Sequence, residues 1–282
     1  MSTSQARFQS DLPVTQIQSS TPSTLGLKEL WDYRELLYFL VWRDVKVRYK
    51  QTVIGAAWTV IQPLVTIGVF TLVFQNLAKM PSDGIPYPLF SFTALLPWNF
   101  FAKALNNSIN SVVGSANLIT KVYFPRLVLP ISAILSGLID FGISFLFLLG
   151  MMIWYGIMPG WGVLALPLFL LLAVLTALSI GLWLAVINVR YRDVGQATAF
   201  LIQLWLFVSP VAYPLSLVPE KWRALYSLNP MTGVIEGFRW ALLGNAMPSL
   251  VPIAISIAIV IALLFSGIRF FRRMEETFAD IV

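Results

Sequence analysis

Five long segments of the chain contain no charged side chain. They cover residues 51–78, 84–102, 141–189, 194–219 and 240–268. Because an ionised side chain at the centre of a bilayer costs at least about 2.5 kcal/mol, such segments are typical of membrane-spanning helices. One span needs about 20 residues, so segment 141–189 must cross twice, with its turn at 156–162. With residues 127–140 as the front of the third helix, the pattern predicts six transmembrane helices, at 53–77, 88–112, 128–155, 163–188, 196–213 and 249–268.

The remaining segments divide the chain further. Residues 1–26 are rich in Ser, Thr and Gln and predict a disordered cytoplasmic tail. Residues 27–51 have helical spacing but too many charges to span, which predicts an amphipathic helix on the inner leaflet, although Arg34 and Arg48 fall on its apolar side. We assign residues 52–268 to the transmembrane domain and 269–282 to a cytoplasmic tail.

The segment 215–245 precedes the last predicted helix and is too polar to cross the membrane. It contains an apolar stretch at 234–243 and a break at Asn229 and Pro230. This pattern predicts a re-entrant segment of two short half-helices in the outer leaflet. The predicted fold is therefore an all-α integral membrane protein with six transmembrane helices, an N-terminal interfacial helix and this re-entrant segment.

Composition agrees with a membrane protein and excludes several kinds of chemistry. Hydrophobic residues make up 58% of the chain, charged residues only 11%, and mean hydropathy is +0.79. The absence of Cys and His excludes disulfides, thiol or imidazole catalysts and nearly all zinc sites, so we predict no metal site. Asp140 has no acidic neighbour in sequence and Asp193 follows an arginine, so neither belongs to a carboxylate pair that could act on a glycosidic bond. These features argue against an enzyme.

Basic residues set the predicted orientation. With both termini inside, 14 of the 19 Lys and Arg residues lie at cytoplasmic ends, 4 lie outside, and Lys103 lies within the second helix. An excess of this kind on one side marks the cytoplasmic face. We therefore expect a multi-pass protein with both termini in the cytoplasm.

Five short motifs in order resemble one known family. They are RDVKVRYKQTVIGAAWTVIQPL at 43–64, FPRLVLP at 124–130, NVRYRDV at 188–194, SPVAYP at 209–214 and NPMTGVIEGFR at 229–239. Together they resemble the permease subunit of bacterial polysaccharide ATP-binding-cassette exporters of the type-2 family, and most closely the exporters of lipid-linked O antigen.

This resemblance implies a homodimer in the bacterial inner membrane, with a channel between the copies and two cytoplasmic ATPase subunits. ATP and Mg would bind to that partner and no cofactor to this chain, which agrees with the lack of a GxxxxGK[ST] phosphate-binding loop. The expected substrate is lipid-linked polysaccharide, with membrane lipids as further partners and no nucleic acid. A capsule or teichoic-acid exporter, a drug exporter of the same fold and an intramembrane glycolipid enzyme are the alternatives.

Two cytoplasmic elements are candidates for the contact with the ATPase. They are the basic end of the interfacial helix and the loop 114–126, for which lipid anchoring and an ordinary turn are the alternatives. The candidate coupling residues are Arg43, Lys46, Arg48, Lys121, Phe124, Pro125 and Arg126.

Charges at other positions need a partner. Lys103 and Asp140 lie within predicted helices, must face protein or water, and could pair with each other. In the second inner loop, Arg190, Arg192 and Asp193 are expected to hold the fourth and fifth helices in register, with contact to a pyrophosphate-linked lipid as the alternative.

Aromatic residues make up 14% of the chain, more than two interface belts require. Sugar rings lie flat on aromatic rings, so aromatic walls in a wet channel would bind a moving glycan weakly; core or lipid-facing packing is the alternative. By resemblance, the first and fifth helices line the channel. The channel candidates are Trp58, Gln62, Trp98, Phe100, Phe101, Trp205, Ser209 and Tyr213.

Overall fold

Helices account for nearly all of the computed structural model, which describes residues 27–50, 57–275, 277 and 278. The predicted tail 1–26 and most of the C-terminal tail lie outside these residues. The helices are α1 (Leu27–Asp32), α2 (Arg34–Lys50), α3 (Trp58–Phe70), α4 (Tyr87–Asn110), α5 (Ala116–Ile119), α6 (Val128–Leu135), α7 (Gly137–Trp154), α8 (Leu166–Arg190), α9 (Asp193–Val208), α10 (Glu220–Ser227), α11 (Pro230–Leu243) and α12 (Leu250–Glu275). A π-helical segment, Thr71–Leu77, continues α3.

Four of these helical segments are long and apolar enough to cross a membrane. They are Trp58–Leu77, Val128–Trp154, Trp161–Arg190 and Leu250–Glu275. They match the predicted first, third, fourth and sixth spans, and the part of the first prediction at 53–56 lies outside the described residues. The part of the chain that the structure describes is therefore all-helical, with four membrane-capable helices.

The core is built around α4 and α8. Most side chains of α4 are buried, from Tyr87 to Ile109, and they pack against α7, α8, α9 and α11. Gly181 of α8 allows a close approach to α4, because an added Cβ would come within 2.4 Å of the Ser108 hydroxyl. This pair of helices is the frame on which the other elements are placed.

A second apolar cluster joins the two ends of the described chain. It includes Leu40 of α2, Phe124, the start of α6, the end of α8 and Phe271 of α12. The Arg272 guanidinium of α12 also binds the Glu29 carboxylate of α1 at 2.7 Å. Both ends of the described chain therefore lie on the same side of the helical domain.

The fifth predicted helix ends earlier than expected. We predicted residues 196–213, but α9 ends at Val208, and Ser209 adopts an extended conformation with ψ of 146°. The reason is Pro210, since proline disfavours helical geometry in the residue before it. The following segment, 209–214, is irregular and largely buried.

The segment before the last helix forms two short helices, as predicted. They are α10 and α11, and they are separated by Leu228 and Asn229. The Asn229 side chain caps α11 by accepting from the Met231 amide at 3.1 Å, and Pro230 occupies the first turn, where no amide donor is needed. Gly244 ends α11 in the left-handed region, with φ of 72°.

Candidate functional site

A cavity of about 480 Å³ lies between α3, α4, α7 and α9. Gln62, Asn99, Lys103 and Gln203 on its lining are exposed, whereas Asp140 on α7 is buried. Helices α3, α4 and α9 therefore form the mouth of the cavity and α7 forms its floor. Its remaining polar lining consists of Thr59, Asn106 and Ser144.

The floor of the cavity carries a charged cluster centred on Asp140. One carboxylate oxygen, Oδ2, accepts from Arg48 Nη1 at 2.8 Å and from Lys103 Nζ at 2.5 Å. The other oxygen, Oδ1, accepts from the Tyr49 hydroxyl. The predicted pairing of Lys103 with Asp140 is confirmed, and we call these four residues the Asp140 cluster.

Arg48 was predicted to contact the ATPase subunit, but the structure places it in the Asp140 cluster. Its guanidinium also donates to the backbone oxygen and the hydroxyl of Ser136, each at 3.3 Å. The end of α2 is thereby fixed against α6 and α7. One sequence signal pointed to this contact, namely the position of Arg48 on the apolar side of its helix.

Tyr49 is kept protonated by its surroundings. Burial, together with the hydrogen bond to the Asp140 carboxylate, raises the pKa of the Tyr49 phenol to about 12. The phenol therefore donates to Asp140 throughout the physiological pH range. Two cations and one carboxylate then leave the Asp140 cluster with one net positive charge. In the part of the chain that the structure describes, no group of acidic side chains could hold a metal ion.

Most of the predicted channel aromatics on α4 are packed inside the chain. Trp98 and Phe101 are 3% and 0% exposed, and both rings contact Trp205 of α9, with centroids 6.3 and 5.3 Å away. Phe100 lines the cavity and packs edge-on against Phe141. Trp58 at the start of α3 is different, since 56% of its surface is exposed.

Ser209 and Tyr213 lie in the buried irregular segment that follows α9. The Ser209 hydroxyl accepts from Asn229 Nδ2 at 2.9 Å. The Tyr213 hydroxyl lies 2.7 Å from that of Tyr226 and donates to the Phe207 oxygen at 3.0 Å. Both side chains therefore connect the end of α9 to the two short helices.

Three successive backbone oxygens of this segment are held by side chains from other helices. Arg239 of α11 donates to the oxygens of Val211 and Tyr213 at 2.9 and 3.3 Å. The Tyr87 hydroxyl of α4 donates to the Ala212 oxygen at 2.8 Å. Buried irregular backbone requires such partners, and we call this arrangement the carbonyl clamp.

The positive charge of the Arg239 guanidinium, at the centre of the clamp, is balanced by neighbouring groups. It is 1% exposed, pairs with the Glu236 carboxylate at 3.0 Å and lies 3.7 Å from the centroid of the Phe90 ring. From sequence, Arg239 was counted among the basic residues at the outer surface. The structure instead buries it, because two oxygens, a carboxylate and an aromatic face surround it.

The other predicted coupling residues lie at the end of the domain that carries the second apolar cluster. Phe124 is buried in the second apolar cluster, with Pro125 and Arg126 partly buried beside it, whereas Lys121 is exposed. On α2, Arg43 pairs with Asp44 at 2.9 Å, and Lys46 lies over the Trp42 ring. Lys46 and Lys121 therefore present charge at the surface.

At the junction of α8 and α9, the link between helices is made by Asn188. Its Nδ2 donates to the Ile109 oxygen of α4 at 3.2 Å, and its Oδ1 accepts from the Gly195 amide of α9 at 3.0 Å. Arg190, Arg192 and Asp193, which were expected to set the register, are all exposed. The motif at 188–194 does lie at the junction of the two helices, but the residue of this motif that joins them is Asn188.

Several known proteins are similar to this chain over most of its length. The O-antigen export system permease protein RfbA of Myxococcus xanthus is 32% identical over 259 residues, which are 91% of this chain and 98% of that protein. The protein of the same name from Klebsiella pneumoniae is 28% identical, with 88% and 95% covered. The polysialic acid transport protein KpsM of Escherichia coli is 24% identical, with 83% and 91% covered.

A family comparison gives the same assignment. Residues 35–243 match the ABC-2 type transporter family, and this range extends from α2 to the end of α11. The match includes the Asp140 cluster, the cavity and the carbonyl clamp. The chain therefore belongs to the ABC-2 type transporter family.

Proposed function

We propose that this chain is the transmembrane subunit of an ATP-driven exporter that moves lipid-linked polysaccharide of the O-antigen type across the bacterial inner membrane. The similarity to O-antigen export permeases, over 91% of this chain and 98% of the Myxococcus protein, is the observation that carries the proposal. The chain is a transport permease, and ATP and Mg belong to a separate ATPase subunit.

The proposed topology has six spans with both termini in the cytoplasm. The two spans beyond the four long apolar segments are α4 and α9. Helix α4 has 24 residues, enough for about 36 Å. Helix α9 has 16 residues, about 24 Å, and the buried segment 209–214 extends it towards the outer surface. The contact between α1 and α12 supports termini on one side, and we place α10 and α11 as the re-entrant segment in the outer leaflet.

We propose a homodimer in which α3 and α9 of the two copies face each other. Both helices expose apolar side chains, including Val65 and Leu72 on α3 and Leu204 and Phe207 on α9. A two-fold dimer would place these surfaces around one shared passage. Trp58 and Gln62 are exposed on α3 and are suited to line it, whereas Trp98 and Phe101 support its wall from inside.

The second candidate is a capsule-type polysaccharide exporter. The relative named as a polysialic acid transport protein, at 24% identity, favours it. Both candidates move a polymer, so they share the passage and the ATPase and differ in the glycan.

Deletion of the gene in its host tests the function. We expect loss of long-chain lipopolysaccharide from the cell surface and accumulation of lipid-linked polysaccharide inside, because synthesis continues when export stops. Immunoblots of surface and internal fractions measure this, and the plasmid-borne gene serves as the control. Normal surface O antigen in the deletion strain would contradict the proposal, and selective loss of capsule would favour the second candidate.

Contact with the ATPase is tested by charge reversal at the inner surface. We expect Arg43→Glu, Lys46→Glu and Lys121→Glu together to weaken binding of the ATPase subunit by about tenfold, because charges on an interface rim steer association. Copurification of the tagged ATPase measures the effect. The matched control reverses Lys79, Lys221 and Arg223, which are also exposed. Equal ATPase recovery from the two triple variants would indicate that the inner residues serve only as lipid anchors.

A further inference from the structure

The Asp140 cluster has more positive charge than its carboxylate can neutralise. Both oxygens of Asp140 are already bound, and two cations share the Oδ2 atom. No other acidic residue lines the cavity among the described residues. Residues 51–56, which follow the cluster in the sequence, carry no charge. A charge at this depth requires a counterion or water, so the cavity is suited to an anion.

Lys103 is the side chain that can reach such an anion. An ammonium group has three donors, and one of them is used by Asp140 at 2.5 Å. The Lys103 side chain is 45% exposed, compared with 22% for Arg48. Arg48 is also held by Ser136, so it is turned towards the protein. Lys103 therefore presents two free donors to the cavity.

The lining of the cavity adds neutral donors to the charge of Lys103. Asn99 and Asn106 lie on α4 with Lys103, while Gln62 and Gln203 come from α3 and α9. Amide groups of this kind donate to phosphate oxygens without adding charge. A cavity of about 480 Å³ is large enough for a diphosphate group.

Two of the helices that line the cavity, α3 and α9, also expose apolar side chains. On α3, Val65 and Val69 are exposed, and on α9, Phe200, Leu204 and Phe207 are exposed. A ligand with a phosphate head and a hydrocarbon tail could place its head at Lys103 while its tail stays against these helices. A free anion would gain nothing from the apolar surfaces.

We propose that this cavity binds the phosphate head of an amphipathic lipid, with Lys103 as the main contact, and that the lipid is the carrier to which the exported polysaccharide is attached. The inference rests on the proposed function and adds to it a site for the head group. The same chemistry would be offered by a phospholipid head group or by free pyrophosphate, so the test must separate these sources.

Direct binding to the purified full-length chain in maltoside micelles tests the site. The probes are farnesyl diphosphate, farnesol, pyrophosphate and phosphatidylglycerol, measured by equilibrium binding of labelled compounds. The variants are Lys103→Gln, Lys103→Arg and, as a matched control, Lys221→Gln, which lies on α10 and is exposed. In Lys103→Gln the carboxylate keeps Arg48 and Tyr49 as partners, so the variant should remain folded, which thermal unfolding verifies.

We expect farnesyl diphosphate to bind better than farnesol or pyrophosphate. Lys103→Gln should weaken that binding about tenfold, since a charge-assisted hydrogen bond is lost. Lys103→Arg should retain most of the affinity, and Lys221→Gln all of it. Tighter binding of phosphatidylglycerol, with the same dependence on Lys103, would assign the site to phospholipid head groups. Binding of pyrophosphate as tight as that of farnesyl diphosphate would assign the site to a free anion. Either result would overturn the proposal that the ligand is the carrier lipid.

Equal binding of all probes by the Lys103→Gln variant and the unmodified chain would overturn the site itself. The deletion test of export is independent of this result. If export is confirmed and binding does not depend on Lys103, only the head-group site fails. If export fails but binding depends on Lys103, the proposed function fails and the anion site remains.

Discussion

Asp140→Asn is expected to destabilise the protein by about 3 kcal/mol, because it removes a buried carboxylate that neutralises the partly buried Arg48 and the more exposed Lys103. Arg48 and Lys103 both bind the Oδ2 atom that loses its charge. Thermal unfolding of the purified protein in detergent measures the change. Asp193→Asn is the matched control, since Asp193 is exposed and the same substitution should have little effect there.

A second variant tests whether unbalanced charge causes the loss of stability. The combination of Arg48→Gln, Lys103→Gln and Asp140→Asn removes both cations together with the carboxylate, so we expect it to recover most of the lost stability. Replacement of a complete buried ion cluster by neutral residues is often tolerated, whereas removal of one partner is not. A triple variant no more stable than Asp140→Asn would show that local packing, and not charge, accounts for the loss.

Arg239→Met should lower the stability by a similar amount, about 3 to 5 kcal/mol. The change leaves the Glu236 carboxylate without its cation and frees two backbone oxygens of the segment 209–214. Unfolding in detergent again measures the loss, with Arg192→Met as the exposed control. Arg239→Lys keeps the charge but loses the forked guanidinium that reaches two oxygens. The stability of this variant should therefore fall between that of the unmodified protein and that of Arg239→Met.

Partial proteolysis distinguishes a local effect from a global one. If the clamp fixes only the segment 209–214, cleavage there should increase in Arg239→Met before the rest of the protein unfolds. Protection equal to that of the control variant would contradict the clamp.

The predicted spans followed from physics that acts on each segment separately. Charged side chains are rare at the bilayer centre, so the charge-free segment 141–189, with 127–140 before it, predicts spans at 128–155 and 163–188 close to where α6, α7 and α8 are found. The end of α9 was missed although Pro210 marked it, because the apolar run continues through the proline.

The partners of the charged residues were much harder to predict from the sequence. Arg48 and Asp140 are 92 positions apart, and local spacing does not show which distant helices become neighbours. Lys103 and Asp140 could be paired because each was a lone charge in a predicted span. Arg239 gave no such signal, since a basic residue beside a polar loop is ordinarily exposed.

The carbonyl clamp also determines which parts of the protein can move. Arg239 and Tyr87 belong to different helices, α11 and α4, and both hold the segment that ends α9. A displacement of α4 or α11 away from this segment would break the hydrogen bonds that it makes there, so we expect these ends of the three helices to move together. Among the described residues, helix α3 supplies none of the hydrogen bonds of the clamp. In the proposed homodimer, a hinge motion that widens the shared passage is therefore expected at α3 or between the two copies, and not between α4, α9 and α11.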